Sequence, residues 1–213
     1  MDVIGILGGT FDPVHHGHLR LALEMRAVAR LDEVRFVPVG TPAHRAPPVA
    51  EKRLRARLLR AAVAGIDGFT VDERELERCG PSYTVDTLDE LRHERPDVAW
   101  CLIIGMDQFL LFDQWHRWRA ILGAAHLCVA QRPGTRTQLP AGLETVLSEA
   151  RIDDAKTLRA LSHGCIFIGQ LPVLDISSTR IRALLAADQD PRFLLPDPVL
   201  ELIKLERLYE YDE

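Results

Sequence analysis

Ile4-Gly5-Ile6-Leu7-Gly8-Gly9-Thr10-Phe11-Asp12-Pro13-Val14-His15-His16-Gly17-His18-Leu19 is the stretch that decides the fold. A short apolar run ends in glycines and passes into a helical apolar period. That order predicts a buried strand over 2–7, a glycine turn and a helix starting near His16. At Gly8 and Gly9 the backbone can approach a ligand that any Cβ would hold off. The helix start presents unpaired N–H groups and the positive end of its dipole. Together these make an anion site, and phosphate is its usual guest. His15 and His18 are three apart, so they share one helical face and project toward that site. The glycine order is not the dinucleotide fingerprint, and no Gly-Lys-Ser/Thr follows as in a Walker A loop. Two other readings fit the histidines taken alone: solvated side chains of a βα turn, or a pair binding a metal.

Outward from this stretch, the next apolar run predicts a second strand over 34–39. Strand, helix and strand with short connections imply a parallel pair joined by a right-handed crossover. The first helix is expected over 17–30, with Leu19, Ala22, Leu23 and Ala27 as its apolar stripe. A proline-rich loop over 40–49 leaves the carboxyl end of the second strand, the edge where open parallel sheets bind ligands. His44 and Arg45 on it can meet the same phosphates as His18, or simply be solvated.

A helix over 51–64, with Leu54, Leu58, Leu59 and Ala62 inward, and a strand over 69–71 come next. Gly80-Pro81-Ser82-Tyr83-Thr84 stops regular structure, and Ser82 or Thr84 can cap a helix running to 94 with Val85, Leu88 and Leu91 inward. The most apolar strand, 98–105, leads into Gly105-Met106-Asp107, where a carboxylate can accept bonds from a sugar hydroxyl. Trp115 and Trp118 follow at a spacing that by itself favours the core. A strand over 125–130 opens into Arg132. Two amphipathic helices between 139 and 161 and a last strand over 165–168 complete an α/β, Rossmann-like, doubly wound parallel sheet.

Near the other end stands Ile176-Ser177-Ser178-Thr179-Arg180-Ile181-Arg182. Hydroxyls at a helix start, with Arg182 one turn in, form a second anion cradle. Taken alone this is a weak signal, because such caps are common. A final helix is expected over 198–208.

Length and composition narrow the choices. The 213 residues suit one domain over 1–213, its part from 176 onward being a small helical segment. A net charge of −5 argues against a partner in nucleic acid. No window reaches the roughly 18 apolar residues of a membrane span, and the chain opens on a strand instead of a signal peptide. Cys101, Cys128 and Cys165 lie in apolar runs and read as buried thiols of a reducing compartment, so a cytoplasmic location is expected. A monomer or a homodimer is expected.

The His15-His16-Gly17-His18 quartet, preceded by Gly8-Gly9-Thr10-Phe11-Asp12-Pro13, resembles the HxGH nucleotidyltransferase superfamily. That superfamily includes nicotinate-nucleotide and phosphopantetheine adenylyltransferases and class I aminoacyl-tRNA synthetases, and the Gly-Gly-Thr-Phe-Asp-Pro form looks most like the first. Pro42-Ala43-His44-Arg45, Pro81-Ser82-Tyr83-Thr84, Ile103-Ile104-Gly105-Met106-Asp107 with Trp115 and Trp118, and Ile176–Arg182 follow in the family's order. The resemblance implies a nucleotidyltransferase fold and adenylyl transfer from ATP to nicotinate mononucleotide, giving deamido-NAD and pyrophosphate.

It also implies a site. His15, His18 and Arg182 would be catalytic. ATP would meet Gly8, Gly9, Thr10, Phe11, Gly17, His18, Gly105, Asp107, Ile176, Ser177, Ser178, Thr179 and Arg182. The mononucleotide would meet Gly9, Thr10, His44, Arg45, Ser82, Thr84, Trp115, His116 and Arg132, with Trp115 as the ring-stacking residue and Trp118 left in the core. No protein metal site is expected, and Mg2+ would ride on the ATP phosphates. Nicotinamide mononucleotide or phosphopantetheine as acceptor, and a non-catalytic nucleotide-binding module, stand as alternatives.

Overall fold

In the computed structural model, which describes residues 1–43, 46–134, 138–172 and 174–209, the opening stretch is a strand β1 (Val3–Gly9), a loop and a helix α1 (His16–Val28). There follow β2 (Glu33–Pro38), α2 (Lys52–Val63), β3 (Phe69–Val71), α3 (Arg74–Glu77), α4 (Thr84–Glu94), β4 (Ala99–Gly105) and α5 (Met106–Phe109). A 3-10 turn over Phe112–Gln114 precedes α6 (Trp118–Ala124), β5 (His126–Gln131), α7 (Ala141–Ala150), β6 (Arg151–Ile152) and α8 (Thr157–Ala160). The chain ends through β7 (Ile166–Gln170), α9 (Ser178–Ala186) and α10 (Asp197–Leu205).

The seven strands form one parallel sheet in the order β3-β2-β1-β4-β5-β7-β6. The order reverses at β1, as in doubly wound folds, so the loop leaving the carboxyl end of β1 starts where such sheets bind ligands. The register pairs Ile4 with Trp100 and Ile6 with Leu102. Both faces of the middle strands are covered, and Ala99 to Ile104 are all buried. Their unbroken apolar run is the signature of a strand without a wet face. Gly5 has a packing reason to be glycine, since a Cβ there would stand 2.8 Å from both Ile103 and Leu31.

The chain divides into two compact units. One comprises Met1–Gly8, Leu21–Arg35 and Tyr83–Val173; the other comprises Gly9–Arg20, Phe36–Ser82 and Leu174–Glu213.

Three details differ from the sequence reading. The buried residues of α1 are Gly17, Ala22 and Met25, with Ala29 buried just beyond its end, while Leu23 is 44 % exposed and Ala27 is exposed too. The stripe is turned because methionine packs as well as leucine, and two equally apolar faces compete in this helix. The N-cap of α4 is Tyr83, and no side chain caps it, so neither Ser82 nor Thr84 plays that part. The segment between α7 and α8 contains the short edge strand β6, paired parallel to β7 at Arg151 and Ile152. Two residues are too few to show alternation in a sequence.

Cys101, Cys128 and Cys165 are buried and free, as their apolar surroundings suggested.

Candidate active site

The loop from Gly9 to His18 is shaped by its own side chains. Phe11 is 1 % exposed and adopts φ 49°. Its ring folds back on Gly9, where a Cβ would come within 2.9 Å of it. Gly8 meets nothing within 4 Å, so the space beside it is open. The His18 ring lies edge-on to Phe11 at 4.9 Å and stacks on His15 at 3.7 Å.

The start of α1 is partly spoken for. His16 N–H donates to Leu194 O at 2.9 Å, and His15 N–H donates to His18 Nδ1 at 3.3 Å. His18 N–H also donates to His15 O at 3.0 Å, so three of the donors expected from this helix start are already engaged. His15 is 5 % exposed, and its Nδ1 is buried without a partner. A Cβ at residue 17 would come within 2.9 Å of that nitrogen, so glycine there lets the two turns close. Burial, and then the neighbouring charge of His16, lower the His15 pKa to about 4. Burial, and then the charge His15 would carry, hold His18 well below the ordinary histidine value. Both rings are neutral at pH 7.

The far segment joins this loop inside the same unit. Ser177 caps α9 by accepting from Arg180 N–H at 3.2 Å, as a serine N-cap does. Ser178 Oγ donates to Pro13 O at 2.9 Å. Arg182 Nη1 donates to Asp12 O at 2.6 Å, and its Nη2 to Thr179 Oγ1 at 3.4 Å. Ile176 O lies 3.4 Å from where a Cβ of residue 17 would stand. His15, Gly17, His18, Ser177, Ser178, Thr179 and Arg182 are thus brought together. Also in this unit, Ser82 N–H donates to Thr41 O at 2.9 Å, and its Oγ is buried without a partner. His44 and Arg45 lie outside the described residues.

The other unit carries the remaining candidates. Thr84 opens α4, where no side chain caps the helix. Tyr83 meets the ring of His116 at 4.3 Å, and Trp115 packs on Phe112 at 5.6 Å. Trp115 is half-buried, whereas Trp118 is core at 9 % exposure. The left-handed Arg117, φ 50°, breaks the helical period between the two tryptophans, so they do not form one stripe. Gly105 precedes α5, and the Asp107 carboxylate folds back to within 2.5 Å of where a Cβ of residue 105 would stand. Arg132 is exposed just beyond β5.

Sequence reading missed three residues that hold the first loop in place. Arg55 is fully buried on α2 and donates to Thr10 O at 2.7 Å, Val39 O at 2.8 Å and Ala50 O at 3.3 Å. Its signal was an arginine among Leu54, Leu58 and Leu59. Burial lowers its pKa, while Asp12 and Tyr209 oppose that fall. Asp12, 3 % exposed, accepts from Val49 N–H at 2.8 Å, Ala50 N–H at 3.1 Å and Tyr209 OH at 2.7 Å. The ending Glu206-Arg207-Leu208-Tyr209 resembles the family's usual one, but nothing in it points Tyr209 to Asp12, whose place is at the opposite end of the chain.

The cytidylyltransferase-like family model matches residues 6–184. A protein of Acidithiobacillus ferrooxidans named "Probable nicotinate-nucleotide adenylyltransferase" is 48% identical over 98% of this chain and 96% of its own. One of the same name from Methylococcus capsulatus is 48% identical over 97% and 99%. Among solved structures, Plasmodium falciparum nicotinic acid mononucleotide adenylyltransferase complexed with NaAD superposes with a TM-score of 0.73 over 100% of this chain and 99% of its own. At 15% identity it attests the fold. The chain belongs to the cytidylyltransferase-like family and, within it, to the nicotinate-nucleotide adenylyltransferases.

Proposed function

We propose that this chain transfers the adenylyl group of ATP to nicotinate mononucleotide, releasing pyrophosphate and forming deamido-NAD, as a step of NAD biosynthesis in the cytoplasm. The observation that carries the reading is the bonding of two distant motifs, Ser178 to Pro13 and Arg182 to Asp12. Two histidines, an arginine and two helix starts meet there. The names of the relatives support the same acceptor.

A phosphate monoester has its second pKa near 6, so at neutral pH the nucleophile is already ionised and needs no general base. One of its oxygens attacks the α-phosphorus of ATP. The bond from that phosphorus to the bridging β-oxygen breaks, and pyrophosphate leaves with the electron pair. What the protein must supply is alignment and neutralisation of negative charge. His18 accepts at Nδ1, so its neutral ring keeps its proton on Nε2 and donates a hydrogen bond from that N–H to the α-phosphoryl group. His15 supports it from the stacked position. Arg182 and the start of α9, with Ser177 to Thr179, take the departing phosphates. Gly8, Gly9, Thr10, Phe11, Gly17, Ile176, Gly105 and Asp107 complete the ATP contacts.

Mg2+ enters with ATP. Its ligands there are the ATP phosphates, which supply the hard oxygen donors that Mg2+ prefers.

Trp115 faces the pyridinium ring of the mononucleotide, since a tryptophan face attracts a cation. Backbone N–H groups at Thr84 and His116 meet its carboxylate. A carboxylate needs donors only, and an uncapped helix start offers them; an amide also needs an acceptor. That difference favours nicotinate over its amide. Gly9, Thr10, His44, Arg45, Ser82 and Arg132 hold the rest of the mononucleotide. Pyrophosphate release from ATP with nicotinate mononucleotide, nicotinamide mononucleotide or phosphopantetheine offered separately tests this. Release is expected with the first, and release with none of the three would mark a non-catalytic module.

A further inference from the structure

Asp12 sits at the centre of an arrangement that the transfer itself does not require. Its carboxylate is 3 % exposed, and three donors bond to it. Oδ2 accepts from Val49 N–H at 2.8 Å; Oδ1 accepts from Ala50 N–H at 3.1 Å and from Tyr209 OH at 2.7 Å. Arg182 Nη1 stands 3.8 Å from Oδ2 but is bonded at 2.6 Å to the backbone carbonyl of the same residue. The arginine is thus next to a buried carboxylate without being paired to it head-on.

Tyr209 reaches this place by a particular route. Beyond α10 the chain is tied back by Arg207 N–H to Lys204 O at 3.3 Å and by Leu208 N–H to Ile203 O at 3.0 Å. Arg207 and Tyr209 both adopt left-handed backbone, φ 49° and 66°, which L residues hold only when something fixes them. Burial and the Asp12 carboxylate keep the phenol protonated and donating.

We propose that Tyr209 is a positioning residue that acts through Asp12 to keep Arg182 directed at the ATP phosphates. A carboxylate satisfied by three neutral donors has little need of a fourth partner. One that has lost the phenol will recruit the nearest cation, because a buried charge is costly until it is paired. That cation is Arg182, and a fork turned onto Oδ2 is withdrawn from phosphate. The C-terminal tail therefore belongs to the triphosphate site without touching substrate.

The inference rests on Arg182 binding ATP, and the test separates the two. Tyr209→Phe keeps the ring and removes only the hydroxyl. ATP binding is measured directly by calorimetry with MgATP, without acceptor, for the wild-type chain, Tyr209→Phe, Arg182→Ala and the double variant. Tyr209→Phe should weaken ATP about fivefold, the worth of one hydrogen bond, leave the KM for nicotinate mononucleotide unchanged, and add nothing in the Arg182→Ala background. An equal loss for both substrates, or a loss that persists without Arg182, assigns the tail a purely structural role and overturns the inference. Unchanged ATP binding in Tyr209→Phe overturns it as well. A wild-type chain that does not bind ATP overturns the reading of the site, and the inference with it.

Discussion

His18 Nδ1 accepts the backbone N–H of His15 at 3.3 Å. His15 is the residue before α1 and His18 the third within it. The bond is therefore the returning half of a capping box, with imidazole in the place usually held by Glu or Gln. It explains why the spacing is fixed: the same ring that caps the helix has its other nitrogen committed as a donor. Capping and catalysis can then be separated by substitution. His18→Gln keeps an acceptor at the capping position and should retain the wild-type thermal midpoint within about 2 °C. Its kcat should fall by about a hundredfold or more, with a much smaller rise in the KM for ATP, as expected for a lost donor in the transition state. Near wild-type kcat would remove His18 from the chemistry.

The pH dependence of stability follows from His15. Its folded pKa, about 4, lies below the unfolded value of 6.5. Below pH 6.5 the unfolded chain binds a proton that the folded chain refuses, so stability rises with pH across this window. The contribution is fully present above pH 6.5 and is lost as pH falls toward 4. A shift of this size is worth about 3 kcal/mol at most. Urea midpoints between pH 4 and 7 should fall steeply on the acid side for the wild-type chain and less so for His15→Gln. Parallel curves for the two would contradict the assignment.

Arg55 should prove a stability residue. Its three shortest bonds end on backbone carbonyls of Thr10, Val39 and Ala50. Arg55→Met fills much of the same volume but leaves those carbonyls without donors. The cost should be about 3 kcal/mol by chemical denaturation. A loss below about 0.5 kcal/mol would mean that water replaces the guanidinium at no penalty.

Trp115 should divide the substrates differently. Trp115→Ala should raise the KM for the mononucleotide about tenfold while leaving that for ATP within about twofold. An equal effect on both would make Trp115 a packing residue like Trp118.

Much of this was legible in the sequence because the informative signals were local. The strand, glycine turn and helix at 4–19 could be read from periodicity and punctuation, and the serine cap at 177 from residue type. The apolar run over 98–105 marked a strand covered on both faces. What escaped was long-range or compensated. The Asp12–Tyr209 bond joins residues 197 positions apart. Arg55 is buried because scattered carbonyls satisfy it. The inward face of α1 turned on Met25, which looked no different from its neighbours. The role of His18 as a cap was hidden because imidazole is not the residue expected there.

The central claim, that the His15, His18 and Arg182 constellation passes an adenylyl group to nicotinate mononucleotide, is tested most directly by following the α-phosphorus. ATP labelled at the α-phosphate is incubated with the wild-type chain, Mg2+ and nicotinate mononucleotide, and the products are separated. The label should move into deamido-NAD with one pyrophosphate released per label transferred, and His18→Gln should abolish most of this. Label remaining in ATP, or released as AMP with no dinucleotide formed, would contradict it.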